Sequence, residues 1–323
     1  MKIVLDIETD SKASKIWCVV TRDIDNDKVQ TWTSEHPSLQ GYLNKAKEII
    51  MHNGIAFDVP VLKRCWGITV RRSQVRDTLV MSRLWNPSLE EGHSLAAWGK
   101  RLGFPKGDFT DFDGGLTDEM MEYCIQDTLV TRQLYNHLVT CLQKDKFEQS
   151  AIELEHDVQV IIAEQERNGF KLDVPNTQSL LCEIKTEMSQ IEESLQAVFP
   201  PIVTERFSAK TGKRLKDDIE IFNVGSRQQI AKRLMQKGWK PTKHTEKGQV
   251  IIDDAVLETL EIPEAKPIGR YLMLQKRASQ IESWLEHLGN DGRIHGRVVT
   301  MGAVTGRCTH SSPNLAQDRK SVV

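Results

Sequence analysis

Asp6 and Glu8 flank a single residue, Ile7, in the stretch LDIETD near the start of the chain. The surrounding KIVLDIE reads as a buried β-strand, whose side chains alternate, so residues two apart project from one face. Two carboxylates held side by side repel each other and lose hydration on burial, which is unfavourable unless a cation shares them. Taken alone, a D-x-E pair also describes a strand running out into a polar turn. Two further acids bear on the choice. Asp58 follows a sharp turn in HNGIAFD, where capping of the next helix is the simple alternative. Asp127 stands four residues after Tyr123 in YCIQD, which puts both on one helical face. A surface Asp beside a partly buried Tyr has the same spacing.

The elements that would carry these residues follow from periodicity. Residues 2–8, IWCVVTR and VQTWTS alternate like strands with short polar links and suit an antiparallel meander. Helical spacing appears at SLQGYLNKA, and EIIMHNG is a short apolar strand ending at a glycine turn. Helical spacing returns at 58–66, at about 76–85 and at HSLAAWGKRLG. The polar loop GDFTDFDGG precedes a long helix capped by Thr117. From about residue 147 the pattern is mainly helical. AIELEHDVQVIIAEQERNGF stops at Gly169, where positive φ is available, and a second long helix ends at Pro200 and Pro201. A polar, basic loop or small hairpin occupies 202–222. Three further helical patterns and a tail of short strands and turns complete the chain.

The 323 residues allow about two domains. No apolar run approaches the roughly 18 residues of a membrane span, and MKIVLDIETD lacks a signal-peptide core. The six cysteines show no C-x-x-C spacing, so an intracellular protein with reduced thiols is expected. The net charge is −2, but residues 201–323 carry 21 Lys and Arg against 14 Asp and Glu. Phosphate is one complement to such an excess, and a solvated face is the commoner one.

Taken together, D-x-E, N-x-x-x-F-D around Asp58 and Y-x-x-x-D around Asp127 resemble the DEDD exonuclease superfamily, in its tyrosine branch of proofreading domains. The resemblance implies an RNase H-like α/β domain with a mixed sheet. It implies two divalent cations held by four acids: Asp6 bridging both, Glu8 and Asp127 completing one position, and Asp58 holding the other. Oxygen ligands suit hard cations, Mg²⁺ or Mn²⁺, rather than zinc. Tyr123 is expected to orient the attacking water. Thr9, Asn53 and Phe57 are assigned as DNA contacts beside the acids. Asp77, in RDTLVMSRLW, is expected to be structural because the four-acid set is complete, and Asp10 is expected to be a turn residue.

The rest of the chain resembles family A DNA polymerases, in particular the replicative enzymes of short-tailed bacteriophages. IAEQERNGFKLD is similar to the helix leaving their exonuclease, NVGSRQQIAKRLMQKGW and RYLMLQKRASQ to their thumb, and DGRIHGRVVTMGAVTGRCTHSSPNLAQ to their T-G-R and P-N-L segments. The resemblance implies an exonuclease domain at 1–146, a mainly helical thumb at 147–290 and the start of a palm at 291–323. It implies contacts from Arg270, Lys276, Arg277 and Arg307 to a primer-template backbone, and a place of action in the bacterial host cytoplasm.

Two departures from the pattern set further expectations. No palm or fingers follow, so a split or truncated polymerase with a separate partner chain is expected, and DRKSVV reads as a boundary change. The basic insertion of the thioredoxin-using relative is missing, so thioredoxin binding is not expected. Alternatives are a non-catalytic half that holds DNA in an assembly and a ribonuclease D-like RNA trimmer. Without its partner, the segment HGRVVTMGAVTG is expected to leave strand edges unpaired and the tail mobile.

Overall fold

Apolar and β-branched residues fill five short segments that line up as a single sheet: β1 (Lys2–Thr9), β2 (Ile16–Asp23), β3 (Val29–Trp32), β4 (Glu48–Met51) and β5 (Val75–Asp77). The order is β3-β2-β1-β4-β5, with the first three strands antiparallel and β4 and β5 added in parallel. The predicted meander is therefore one half of a mixed sheet. Helices α1 (Pro37–Lys45), α2 (Asp58–Trp66), α3 (Thr78–Trp85), α4 (Leu95–Leu102), α5 (Asp118–Lys144) and α6 (Gln149–Asn168) complete the region. The computed structural model describes residues 1–33 and 37–316.

Strand alternation sorts β1 into two rows. Ile3, Leu5 and Ile7 pack with Leu39 and Leu43 of α1 and Val61 and Leu62 of α2. Val4 packs with Val130, Leu134 and Leu138 of α5. Asp6 and Glu8 continue the Val4 row, so they face α5 rather than the wholly apolar layer. Helix α5 is fixed in rotation by Arg22 of β2, a buried guanidinium that donates to Thr128 Oγ1 at 3.1 Å and Ile125 O at 3.2 Å. Those bonds bracket Asp127 and hold its side of the helix toward the sheet.

A second unit, residues 170–294, contains β6 (Phe170–Lys171), α7 (Val174–Val198), the hairpin strands β7 (Ile202–Thr204) and β8 (Asp218–Glu220), α8 (Arg227–Gln236), α9 (Asp254–Glu258), α10 (Ala265–Glu286) and β9 (Arg293–Ile294). Its core gathers Leu195, Phe199, Phe222, Val224, Ile230, Leu234 and Ile268, with the Phe199 and Phe222 rings 5.0 Å apart. Asp173 caps α7 by accepting from Asn176 N, with Pro175 in the first turn, where its missing N–H costs no hydrogen bond. The chain is clamped where it enters and leaves this unit by β6 pairing with β9.

The division differs from the expected boundaries at 146 and 290. Among the described residues, those of 1–169 and of 295–316 form one unit. Long-range bonds explain the grouping. His156 of α6 accepts from Asp77 N at 2.8 Å, and Thr300 donates to Gln159 at 2.8 Å. Strands β10 (Arg297–Val299) and β11 (Thr309–Ser311) pair with each other as a two-stranded ribbon, so one edge of each is paired and the outer edges stay open, and Met301 is buried in the first unit's core. The DRKSVV segment lies outside the described residues.

Candidate metal centre

Three of the four candidate acids are buried, one on β1 and two on helices. Asp58 is 4% exposed, Glu8 7% and Asp127 2%. Asp6, Glu8 and Cys124 each offer a ligand atom, all within 4.8 Å of one another. The Cys124 thiol donates to Asp6 Oδ2 at 3.5 Å. Burial, with Asp127 nearby, pushes Asp6 up to about 7, and burial together with Asp6 pushes Glu8 up to about 9. Asp127 is also raised by burial, against the pull of Lys106. Acids held this far above their ordinary range lack positive charge, the condition a bound cation relieves.

Asp58 does not cap its helix. Phe57 occupies the flanking position of α2, and no side chain caps the helix there. Burial, then Asp6, then Asp77 drive Asp58 well above the carboxylate range, opposed by its own backbone N–H and that of Ile7. The turn before it is built around Asp77, which accepts from Asn53 N at 2.9 Å and Ile55 N at 3.1 Å while capping α3 through Leu79 N. Asn53 adopts φ 66°, a left-handed conformation that Asn tolerates, and a Cβ on Gly54 would strike Met51. Asp77 is thus the structural residue that the sequence suggested, and it shapes the turn that leads to Asp58. His52 beside it contacts Thr78 Oγ1 through Nδ1 at 2.9 Å and is pushed down to about 3 by burial and Lys106.

Tyr123 and Asp127 share one face of α5, one turn apart. Tyr123 is half-buried beside Phe109 and Phe112, at ring distances of 5.8 and 6.2 Å. Lys106 meets both residues: its ammonium is 2.5 Å from Asp127 Oδ2 and 4.5 Å from the Tyr123 ring centre. Asp127 Oδ1 is buried with no hydrogen-bond partner. An orphaned carboxylate oxygen next to two crowded acids fits a divalent cation bound by oxygen ligands.

Sequence reasoning missed Lys106 and Cys124. Cys124 was detectable, since it precedes Asp127 by three on a helix whose buried face runs through Met120, Cys124 and Asp127. Lys106 lies in an irregular loop, and no periodicity points to it. Asp10 accepts from Ser14 N, Ser14 Oγ and Lys15 N, as a turn residue does.

The assigned DNA contacts fare differently. Thr9 is buried and donates to Asp10 O at 2.9 Å, while Asn53 and Phe57 are exposed close to Asp58 in the chain. Arg270 is chelated by Glu187 at 2.6 and 2.8 Å, so its guanidinium already has a bidentate partner. Lys276 is exposed, and so is Arg277, whose Nε donates to Met273 Sδ at 3.2 Å. Arg307 is exposed in the turn before β11 and belongs to the first unit, not to the unit that carries the other three.

Residues 3–139 match the RNase_H superfamily model, and residues 203–318 match the model of DNA polymerase family A. The DNA-directed DNA polymerase of Escherichia phage T7 is 30% identical across 98% of this chain. Residues 203–318 belong to DNA polymerase family A. The first unit is an RNase H-like domain, in agreement with the mixed sheet.

The DNA-directed DNA polymerase of Enterobacteria phage T3 is 29% identical across 98% of the chain. The chain spans 62% of the length of each phage relative. The T3 match runs over 440 positions, more than the 323 residues present, so the relative carries over a hundred positions within the matched span that have no counterpart here. The solved POL domain of Pol1 from M. smegmatis, in complex with DNA primer-template and dNTP, superposes with a TM-score of 0.71 at 17% identity. That match covers 97% of this chain and 51% of the other, and it supports the fold. Among the described residues no helix is long and apolar enough to cross a membrane.

Proposed function

We propose that the first unit is a 3′→5′ exodeoxyribonuclease, the proofreading activity of a phage DNA polymerase, acting on a single-stranded 3′ end. The observation that carries this reading is the crowding of Asp6 and Glu8, both pushed well above the ordinary carboxylate range, near buried Asp127 with its unpartnered Oδ1, with Asp58 beside Asp6. Such acids are costly to keep in a core unless a cation uses them. Asp6, Glu8, Asp58 and Asp127 would hold two Mg²⁺ or Mn²⁺ ions. When bound, these supply an activated water and charge stabilisation for the departing 3′ oxygen of a phosphodiester.

The remaining work belongs to the chain's own groups. The Tyr123 hydroxyl, one helical turn from Asp127, is suited to orient the water, and the Phe109–Phe112 cluster holds its ring in place. The exposed Phe57 ring and Asn53 amide are suited to receive the terminal nucleotide, by stacking and hydrogen bonding. In the second unit, exposed Lys276 and Arg277 are suited to phosphate contacts that position duplex without reading its sequence.

The test is degradation of a 5′-labelled single strand from its 3′ end with Mg²⁺. Asp6→Ala combined with Glu8→Ala is expected to reduce the rate by at least about a thousandfold, because transition-state charge loses its stabilisation. Full activity in that double variant refutes the assignment. Equal or faster turnover of RNA moves the substrate class from DNA to RNA.

A further inference from the structure

The acid cluster contains a cation of its own. Lys106 Nζ is 2.5 Å from Asp127 Oδ2, and its charge also acts on Asp6 and Glu8. The groups that act on Asp58 are instead Asp6 and Asp77. The ammonium therefore stands on the Asp6, Glu8 and Asp127 side of the cluster.

Lys106 is not a loose surface lysine. Its side chain is 26% exposed, and the loop beneath it is fastened on both sides. Gln126 Nε2 donates to Pro105 O at 2.9 Å, and Phe104 N donates to Gly99 O at 2.9 Å. Gly107 lies close enough to Tyr123 that a Cβ there would meet the ring at 3.3 Å. Trp17 and Ser11 hold the far end of the loop through Phe112 O and Asp113 Oδ1, at 2.8 and 2.9 Å.

Two arrangements are available when a divalent cation arrives. It could take the free Asp127 Oδ1 while Lys106 keeps Oδ2, which leaves an ammonium and a doubly charged ion only a few ångströms apart in a largely dry site. Such like charges repel strongly there. Alternatively Lys106 lets go of Oδ2. Nζ already lies over the face of the Tyr123 ring, 4.5 Å from its centre, so the ammonium keeps one favourable contact when it gives up Oδ2.

Building on the exonuclease reading, we propose that Lys106 is a positioning residue that competes with a divalent cation for Asp127. It neutralises the carboxylate while no cation is bound, then keeps only its contact with the Tyr123 ring when the cation takes Oδ2. In this way one side chain couples metal loading to the placement of the tyrosine.

The test measures Mn²⁺ binding to the full chain by electron paramagnetic resonance, without substrate. If the lysine-free state of Asp127 is populated about a tenth of the time, Lys106→Met binds the first Mn²⁺ about tenfold more tightly, and Lys106→Arg stays within about threefold of the parent. The maximal exonuclease rate of Lys106→Met is expected to fall about tenfold as Tyr123 loses its partner. Unchanged or weaker Mn²⁺ binding by folded Lys106→Met overturns the proposal. Should that variant not fold, the parent chain crystallised with Ca²⁺ decides: Nζ beyond 3.5 Å from Oδ2 upholds it, and Nζ within about 3 Å overturns it. Because Mn²⁺ affinity is read without turnover, a tightened site in a protein with no nuclease activity supports the competition and refutes the exonuclease reading.

Discussion

The two units handle charge in opposite ways. Among the described residues, the buried polar and charged side chains lie in the first unit, with Arg233 the sole exception in the second. Arg233 is neutralised structurally, donating to Pro200 O at 2.8 Å. The second unit puts its other charges at the surface and pairs many of them there, as in Lys185–Glu282, Lys232–Glu220, Lys237–Glu264 and Arg270–Glu187. The first keeps a crowd of acids in its core with one lysine to balance them. The contrast separates a unit that holds crowded acids in its core from one whose core is almost wholly apolar.

That contrast can be broken most sharply at Asp58. Asp58→Asn keeps the shape and removes the charge, so nuclease activity should drop by at least about a thousandfold while the metal-free protein melts at a higher temperature. A lower melting temperature would mean that the acid supports the fold. In the second unit the corresponding change is Phe222→Ala. Loss of this fully buried ring should cost about 3–5 kcal/mol by denaturant unfolding, with the nuclease rate unaltered while the protein stays folded.

The pH dependence gives a smaller but more diagnostic effect. The acids in the folded first unit are raised, Asp6 to about 7 and Glu8 to about 9, so between their unfolded values and these the folded state binds more protons. Stability of the metal-free unit must then fall as pH rises through that window. Buried His156, pushed down to about 4, works in the opposite direction below its unfolded value of 6.5. From pH 6.5 to 9 the acids act without that opposition. Melting temperature measured without metal should decline across this range, and saturating Mg²⁺ should flatten the decline. A flat metal-free profile would show that the acids are not crowded as described.

The smallest effect is expected at Arg270. Glu187 already chelates its guanidinium, so Arg270→Ala should leave duplex affinity within about twofold, as for most exposed ion pairs. Combined Lys276→Ala and Arg277→Ala should reduce the salt dependence of duplex binding by about two charges. The reverse pattern would place the DNA contact at Arg270.

Much of the site was legible because its signals are local. Two-residue spacing on β1 and four-residue spacing on α5 are consequences of backbone geometry, so Asp6 with Glu8 and Tyr123 with Asp127 could be read as pairs. Asp58 was legible only in position: whether it caps a helix or enters a core depends on the turn before it, which Asp77 builds from 24 residues away. Lys106 had no local signal, since its partner is on another element and the intervening loop follows no repeat. The unit boundary escaped for the same reason. Helical spacing shows that α6 exists, but its attachment to the first unit rests on bonds spanning 79 and 141 residues. The pairing of Arg270 with Glu187, 83 residues apart, was equally hidden.

The bond from Asp77 N to His156 Nε2 gives α6 a part in building the candidate metal centre, although none of the four clustered acids lies on it. His156 Nδ1 is held at 2.7 Å by Ile152 O, so Nε2 is the accepting nitrogen and the ring is locked in one tautomer. The helix thus braces Asp77, Asp77 braces the Asn53 turn, and the turn aims Asp58. A first unit cut at residue 146 would keep Asp6, Glu8, Asp58 and Asp127 yet lose that brace. A transplant to another scaffold would have to carry the chain through Gly169 to keep Asp58 in register.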